Sequence, residues 1–201
     1  MVTSPERRTA SARRILDLSA YPKRVVLDSG ESLTIRPLQP ADRFELEQFF
    51  VGLPNHMRLR LHHAVTDPAI VAGWTSEIDL IHSLPLIALA GRRIVADTVL
   101  LREPASNPVG EIRMTVAERY ERTDLAEMML RDLAKIGEKL GLDAVILTLI
   151  TDGDSLVEAA RRVGFREIRF RRDDGTYISL LAITFSHLHR EPESRPGLQL
   201  V

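Results

Sequence analysis

Short runs of alternating apolar and polar residues, separated by turn residues, recur along the chain and predict strands. The predicted strands are 25–27, 32–37, 84–90, 94–101, 109–116, 144–150, 165–172 and 177–185. Turn residues at 28–30, 91–93 and 173–176 predict three hairpins, whereas 103–108 is predicted as a loop. The run 144–150 is mostly apolar, so we expect a strand that is buried on both faces.

Apolar residues spaced three or four apart predict the helices. In the strongest of them, the buried positions are Leu125, Met129, Leu133, Ile136 and Leu140. This helix is expected to end at Gly141, because glycine suits the position after a helix. A shorter helix is predicted at 156–163, before Gly164.

The N-terminal half contains weaker helical patterns. One helix is expected to start at Ser4-Pro5 and to end at Tyr21-Pro22. Asp42 is predicted to cap a helix that is broken at Gly52 and Pro54 and whose buried residues are Phe44, Leu46, Phe49 and Phe50. Residues 55–82 are irregularly helical, with apolar residues at Ile70, Val71, Trp74 and Ile78.

The resulting order, ββααβββαβαββ, predicts an α+β fold. Its sheet is mixed and mostly antiparallel, with helices on both faces. A single crossover, from strand 109–116 through the helix 125–140 to strand 144–150, is expected to be parallel and right-handed. We predict a domain at 25–185, preceded by a basic extension at 1–24 and followed by a polar tail at 186–201.

Composition narrows the class of protein. The chain has 201 residues, no cysteine, and 27 Lys and Arg against 28 Asp and Glu. That length suits one domain, and the charge balance disfavours a nucleic-acid binder. The absence of cysteine rules out disulfides and thiol nucleophiles and fits a cytoplasmic protein. No secretory signal or membrane span is predicted. Positive charge gathers in 1–24, which is read as a solvated extension or as a contact for an acidic partner.

The same order and residues resemble the GNAT superfamily of acetyl-CoA-dependent N-acyltransferases. The segments that carry the resemblance are Leu33-Thr34-Ile35-Arg36-Pro37 with Ala41-Asp42, the strand 109–116, the helix 125–140 and Ala159-Ala160-Arg161-Arg162-Val163-Gly164-Phe165. Residues 53–86 are similar to a bacterial subgroup close to the acetyltransferase domain of protein-lysine acetyltransferases. The resemblance implies acetyl-CoA as cofactor, an amine as acceptor and, as often in this family, a homodimer.

The resemblance also places the cofactor. The pantetheine arm would pair with the backbone of Met114, Thr115 and Val116. The pyrophosphate would bind where the family has Arg/Gln-x-x-Gly-x-Gly/Ala, before the main helix. This chain has Glu121-Arg122-Thr123-Asp124-Leu125-Ala126 there, and only Ala126 matches. Glu121 and Asp124 put negative charge beside an anion site, and Thr123 or Asp124 could cap the helix instead. Arg122 could compensate by turning inward.

For catalysis, the resemblance implies Glu111 as the base, although an exposed residue of an alternating strand is the simpler interpretation. The family's tyrosine acid corresponds to Ala160, and the asparagine before its last helix corresponds to Gly153. Tyr120 and Tyr177 are possible substitutes, but packing is the more ordinary role.

Two further clusters were weighed. The histidines His56, His62, His63 and His82 lack carboxylates at matching spacing, so no metal site is predicted. Arg166, Arg169, Arg171 and Arg172 fit an exposed edge strand as well as a docking site for an acidic partner.

Two functions therefore stay open. The first is an N-acyltransferase that acts on a small amine or a protein lysine. The second is a GNAT-fold protein that binds CoA weakly or not at all and acts as a binding or regulatory module. The residues 121–124 distinguish the two, because they decide whether the pyrophosphate has a site.

Overall fold

The computed structural model describes residues 17–60, 79–103, 107–150, 155–171 and 177–185. These form one mixed sheet of eight strands with helices packed against it. The strands are β1 (Lys23–Val26), β2 (Ser32–Pro37), β3 (Ser83–Ala90), β4 (Arg93–Glu103), β5 (Asn107–Val116), β6 (Ala144–Ile150), β7 (Arg166–Arg171) and β8 (Tyr177–Thr184). The helices are α1 (Arg43–Val51), α2 (Asn55–Arg60), α3 (Leu125–Lys139) and α4 (Ser155–Val163), with 3-10 turns at Pro40–Asp42 and Glu118–Tyr120.

The predicted topology is confirmed. The strand order in the sheet is β1-β2-β3-β4-β5-β6-β8-β7. Neighbouring strands are antiparallel except β5 and β6, which are parallel and joined through α3. The three predicted hairpins pair antiparallel, β1 with β2, β3 with β4 and β7 with β8. Gly141 has a φ of 78°, which fits its predicted place after α3.

Two apolar clusters lie on opposite faces of the sheet, as strand alternation requires. On the face that α3 and α4 cover (the α3 face), Leu125, Met129 and Leu133 pack with strand residues that include Ile112 and Leu147. The other face, covered by α1 (the α1 face), has a smaller cluster. Its members are Leu38, Leu46, Phe49, Phe50, Leu53, Met57, Ile87, Leu89 and Ile94. The sheet is therefore the middle layer of the domain.

The structure corrects several predictions about single elements. Phe44, predicted to be buried, is 65% exposed, because it faces away from the sheet while Leu46, Phe49 and Phe50 face it. Asp42 precedes α1 but does not cap it with its side chain. Its carboxylate instead accepts two hydrogen bonds from Arg36, both at 2.6 Å, and one from the amide of Gln39 at 2.8 Å.

Two strand predictions also change. The predicted loop 103–108 is shorter, since β4 continues to Glu103, which pairs with Asn107 of β5. The strand 144–150 is not buried on both faces. Val145 and Leu147 are fully buried on the α3 face, whereas Ile146 and Thr148 on the α1 face are half-buried.

Several predicted features lie outside the described residues: the helix start at Ser4-Pro5, the apolar positions of 61–78 including Trp74, Gly153 and the tail 186–201. At the N-terminal edge of the described chain, β1 starts at Lys23, whose Nζ lies 2.8 Å from Asp132 of α3. At the opposite edge, β7 is an outer strand that exposes Arg166, as the edge-strand interpretation of the arginines predicts.

Close packing between α3 and β6 gives a stability prediction at Gly137. A Cβ added there would lie 2.6 Å from Cγ2 of Val145, too close for a real contact. Replacing glycine by alanine within a helix ordinarily stabilises by about 1 kcal/mol. We expect Gly137→Ala to destabilise instead, by about 1–2 kcal/mol, because overpacking in a filled core costs more than the propensity gain.

Urea unfolding followed by circular dichroism measures this effect. Glu138→Ala is the matched control, because Glu138 is the next residue of α3 and is exposed. It should change the free energy of unfolding by less than about 0.5 kcal/mol. A Gly137→Ala protein more stable than the parent would contradict the packing of α3 on β6.

Candidate active site

The candidate site begins where two neighbouring strands part. β5 pairs with β4 over most of its length, up to Val116. Its parallel pairing with β6 covers only Val109–Ile112 against Ala144–Leu147. Over the described residues, 113–116 of β5 and 148–150 of β6 do not pair with each other, and this gap is called the β5–β6 opening. It contains the three residues that the resemblance assigns to the pantetheine arm, Met114, Thr115 and Val116.

The N-terminus of α3 lies a few residues beyond this opening. The amide of Leu125 donates to the hydroxyl of Thr123 at 3.3 Å, and the amide of Met128 donates to the carbonyl of Asp124 at 3.0 Å. Within the described chain, no acceptor is recorded for the amides between them, those of Ala126 and Glu127. Two N–H groups at the positive end of a 15-residue helix are thus available to an anion.

The carboxylate of Asp124 does not occupy these amides. Asp124 stands at the N-cap position of α3 but makes no side-chain cap. Its Oδ1 instead accepts a hydrogen bond of 3.2 Å from the amide of Asp28, in the turn between β1 and β2. Of the two capping residues predicted, only Thr123 bonds to the helix. The reason is tertiary: the β1–β2 turn approaches the start of α3 and supplies another donor.

The same turn holds the segment that precedes α3. The hydroxyl of Tyr120 donates to Glu31 at 2.8 Å, and Arg119 lies 3.3 Å from the other oxygen of Glu31. Burial, followed by this hydrogen bond to Glu31, raises the pKa of Tyr120. Glu121 is half-buried and Arg122 is exposed, and neither forms an ion pair with the described part of the chain. Arg122 therefore does not turn inward onto a described carboxylate.

The α1 face of β5 carries the charged residues of the candidate site. Side chains of Glu111, Arg113 and Thr115 alternate onto this face. The Nε of Arg113 donates to Glu111 at 3.0 Å, and both side chains are about 40% exposed, 43% and 36% respectively. Glu111 is paired with Ile146 in the closed part of the ladder, so it lies beside the inner end of the β5–β6 opening.

A second carboxyl on this face was not singled out from the sequence. Asp97 of β4 lies directly opposite Thr115 of β5 and Ile87 of β3. Burial raises the pKa of Asp97 to about 7. No hydrogen bond or ion pair of its carboxyl is recorded within the described residues. The signal in the sequence was an acid inside the apolar run 94–101, a position where an unsatisfied charge is costly.

No described residue fills the role of the family's tyrosine acid. Ala160 is fully buried on α4. The hydroxyl of Tyr120 is already engaged with Glu31, which agrees with the packing role. The side chain of Tyr177 lies outside the described residues, as does Gly153.

Metal and membrane chemistry find no support in the part of the chain that is described. No group of three or more histidine or carboxylate side chains there could hold a metal ion. His82 contacts Asp79 alone, and His62 and His63 lie outside the described residues. Among the described helices, none has the length and apolar character needed to cross a membrane.

Comparison with solved structures identifies the fold. The chain superposes on the GNAT domain of S. lividans PAT with a TM-score of 0.69 and 17% identity, covering 81% of this chain and 96% of that one. The ribosomal-protein-S5-alanine acetyltransferase from Vibrio fischeri gives a TM-score of 0.67 and 10% identity, covering 81% and 98%. Mycobacterium smegmatis RimJ in complex with CoA-disulfide gives 0.61 and 19%, covering 85% and 91%.

The chain therefore has the GNAT fold, as the resemblance of its segments indicated. No known protein-family model matches it. At identities of 10–19%, the likeness defines the fold and leaves the chemistry to the site itself.

Opposite environments of two carboxyls give a pH prediction. Asp97 has a pKa of 3.8 when unperturbed and about 7 when folded. Between these values the folded protein holds a proton that the unfolded chain has released, so stability falls as pH rises. Asp97→Asn has no such proton. Its stability relative to the parent should grow from pH 4 to pH 7, by at most about 4 kcal/mol.

Asp42→Asn is the contrasting control. Burial favours a higher pKa for Asp42, but hydrogen bonds from Arg36 and Gln39 outweigh it, and the pKa is lowered. Its stabilisation is present above about pH 4 and is lost as pH falls through the folded pKa. Between pH 5 and pH 8 the difference between Asp42→Asn and the parent should be flat. Urea unfolding at each pH measures both, and equal pH trends would contradict the assigned environments.

Proposed function

We propose that this protein is an N-acyltransferase that uses acetyl-CoA to acylate an amine. The observation that carries the proposal is the position of the β5–β6 opening next to two available amides at the start of α3. An extended arm with an amide-rich backbone can pair along the opening, while its anionic end reaches the helix N-terminus. The solved structures with this fold include enzymes titled as acetyltransferases, some with CoA bound.

The residues present fit this cofactor. Met114, Thr115 and Val116 would supply backbone groups to the pantetheine arm. Leu125, Ala126 and the residue after them would surround the pyrophosphate, with the amides of Ala126 and Glu127 as donors. Thr123 and Asp124 hold the preceding turn in place through their own hydrogen bonds. Arg122 is exposed next to this turn and can reach a bound phosphate. The cofactor would supply an acyl thioester.

The acceptor would approach on the α1 face. Glu111 is the base that the resemblance offers, and its carboxylate lies on that face near the inner end of the opening. Its negative charge attracts an ammonium group, and a bridging water can carry the proton. A protein lysine, a protein N-terminus or a polyamine each presents such a group. Titles of the neighbours include a ribosomal-protein alanine acetyltransferase and a spermidine acetyltransferase, so all three classes belong in an assay.

A binding or regulatory module is the second candidate function. It is favoured by Glu121 beside the phosphate turn and by Ala160 at the place of the acid. The direction of Asp124 counts against it, because this carboxylate is bonded to Asp28 instead of the helix amides. Cofactor binding is therefore the measurement that separates the two.

Calorimetry with acetyl-CoA tests the phosphate turn. Asp124→Asn keeps an oxygen for the amide of Asp28 and removes one negative charge near the pyrophosphate. We expect binding two- to fivefold tighter, about 0.5–1 kcal/mol, as for a charge near a helix N-terminus. The gain should shrink with added salt, which screens the charge.

Glu138→Gln is the control for this change. It removes a like charge from the same helix about 21 Å from Asp124, at 1.5 Å per residue. Its affinity for acetyl-CoA should equal that of the parent. No measurable binding by the parent or by Asp124→Asn would sink the transferase and leave the module.

Release of free thiol from acetyl-CoA tests the acceptor face. The acceptors are a lysine peptide, an alanyl peptide and spermidine. We expect Glu111→Gln to lower kcat/KM for the preferred amine by about 10- to 100-fold, within the range of an acid–base or charge contact. Its affinity for acetyl-CoA should not change. An unaltered kcat/KM for every acceptor would remove Glu111 from the site.

A further inference from the structure

Asp97 is a second carboxyl on the face where the acceptor amine would arrive. It lies opposite Thr115 in the antiparallel pairing of β4 and β5. Side chains so paired have Cβ atoms about 4.5–5.5 Å apart. Thr115 belongs to the segment that borders the β5–β6 opening, so Asp97 stands one strand away from the proposed thioester arm. Glu111 lies four residues back along β5, about 13 Å from Thr115.

The surroundings of Asp97 distinguish it from the other carboxyls of this face. Asp42 is bonded to Arg36, and Glu111 is bonded to Arg113. Both therefore accept hydrogen bonds from a cation already. Asp97 makes no recorded hydrogen bond in the described chain, although it lies inside the sheet.

The groups that surround Asp97 are mostly apolar. The nearest cross-strand neighbours on this face are Ile87 and Thr115, and the residues of α1 that face the sheet are Leu46, Phe49 and Phe50. The charged groups on the adjoining strands are the Arg36–Asp42 pair, beyond Ile87, and the Glu111–Arg113 pair, along β5. Each pair is internally neutralised. Asp97 is also only partly buried, so a small group can reach its oxygens.

We propose that Asp97 is the catalytic residue that takes the proton of the acceptor ammonium group, while Glu111 holds the cation by its charge. This inference rests on the proposed function. The ammonium group loses one proton to the Asp97 carboxylate, and the nitrogen lone pair then forms the C–N bond with the thioester carbonyl. The C–S bond breaks, and the departing sulfur takes the second proton of the nitrogen. Asp97 returns its proton to water.

The local chemistry suits this role. A base works best when its pKa lies near the working pH, because it is then both deprotonated often enough and basic enough. Burial raises the pKa of Asp97 to about 7, whereas an ordinary aspartate is a weaker base. The partial burial that causes this also limits the competing water.

Steady-state kinetics of Asp97→Asn, by thiol release with saturating acetyl-CoA, tests the proposal. We expect kcat for the preferred amine to fall by about 100-fold or more at pH 7.5, within the usual range for a lost base. KM for the amine should change less than about threefold. The rise of kcat through pH 7 should disappear. Glu111→Gln should show the opposite split, with a higher KM and a retained rise of kcat with pH.

Asp42→Asn is the matched control, since it makes the same change on the same face at a carboxyl that is already paired. Its kcat should equal that of the parent below its melting temperature. A check on the parent itself needs no variant: the carboxyl carbon resonance of Asp97 should titrate near pH 7 and shift when spermidine or a lysine peptide is added with CoA.

The outcomes separate the two proposals. If the parent releases thiol with an amine and Asp97→Asn keeps its kcat and pH profile, Asp97 is a structural residue and the transferase stands. A resonance of Asp97 that does not respond to the amine also overturns the proposal. If the parent binds no acetyl-CoA and releases no thiol with any acceptor, both proposals fail together.

Discussion

The candidate site depends on the short register between β5 and β6. β5 is held along its length by β4, and β6 is held along its length by β8. Only four residue pairs join the two strands to each other. The sheet therefore stays continuous while its centre opens at one end, beside the N-terminus of α3. Backbone groups of a strand edge and of a helix start are brought to one place, where they can bind an extended anionic molecule without special side chains.

The turn between β1 and β2 matters to this site although it lies at an edge of the sheet. It bonds to the segment before α3 through Glu31, which accepts from Tyr120, and through the amide of Asp28, which donates to Asp124. These contacts direct a carboxylate away from the helix amides that an anion would need. An acidic residue in a phosphate turn is thus compatible with an available helix N-terminus, because the direction of its side chain decides which donors it occupies.

Charge on the α1 face follows the same logic. Asp42 and Glu111 are each paired with an arginine, and Asp97 is set among apolar neighbours. Three carboxyls of similar intrinsic acidity are thereby given different environments. Pairing favours the ionised form, and desolvation favours the protonated form. The arrangement offers both a fixed negative charge and a carboxyl that changes its proton near neutral pH, as transfer to an amine requires.

The sequence by itself determined the element order, the hairpins, the parallel crossover and the amphipathic helix α3, since these depend on local periodicity and on turn residues such as Gly141. It also predicted Thr123 as a cap, which is a contact between neighbours in the chain. Local pattern was insufficient where the partner is distant. Phe44 fitted the apolar spacing of α1 yet faces outward, and Asp42 and Asp124 fitted the cap position yet bond elsewhere.

Asp97 shows the limit most clearly. In the sequence it is one acid within an apolar run, and its meaning depends on β3 and β5, which flank it, and on α1, which covers its face. Only the tertiary structure decided where β5 and β6 part, which amides of α3 stay available and which carboxyl lacks a partner. Each of these depends on residues far apart in the chain, whose distance and direction are set when the sheet and the helices pack together.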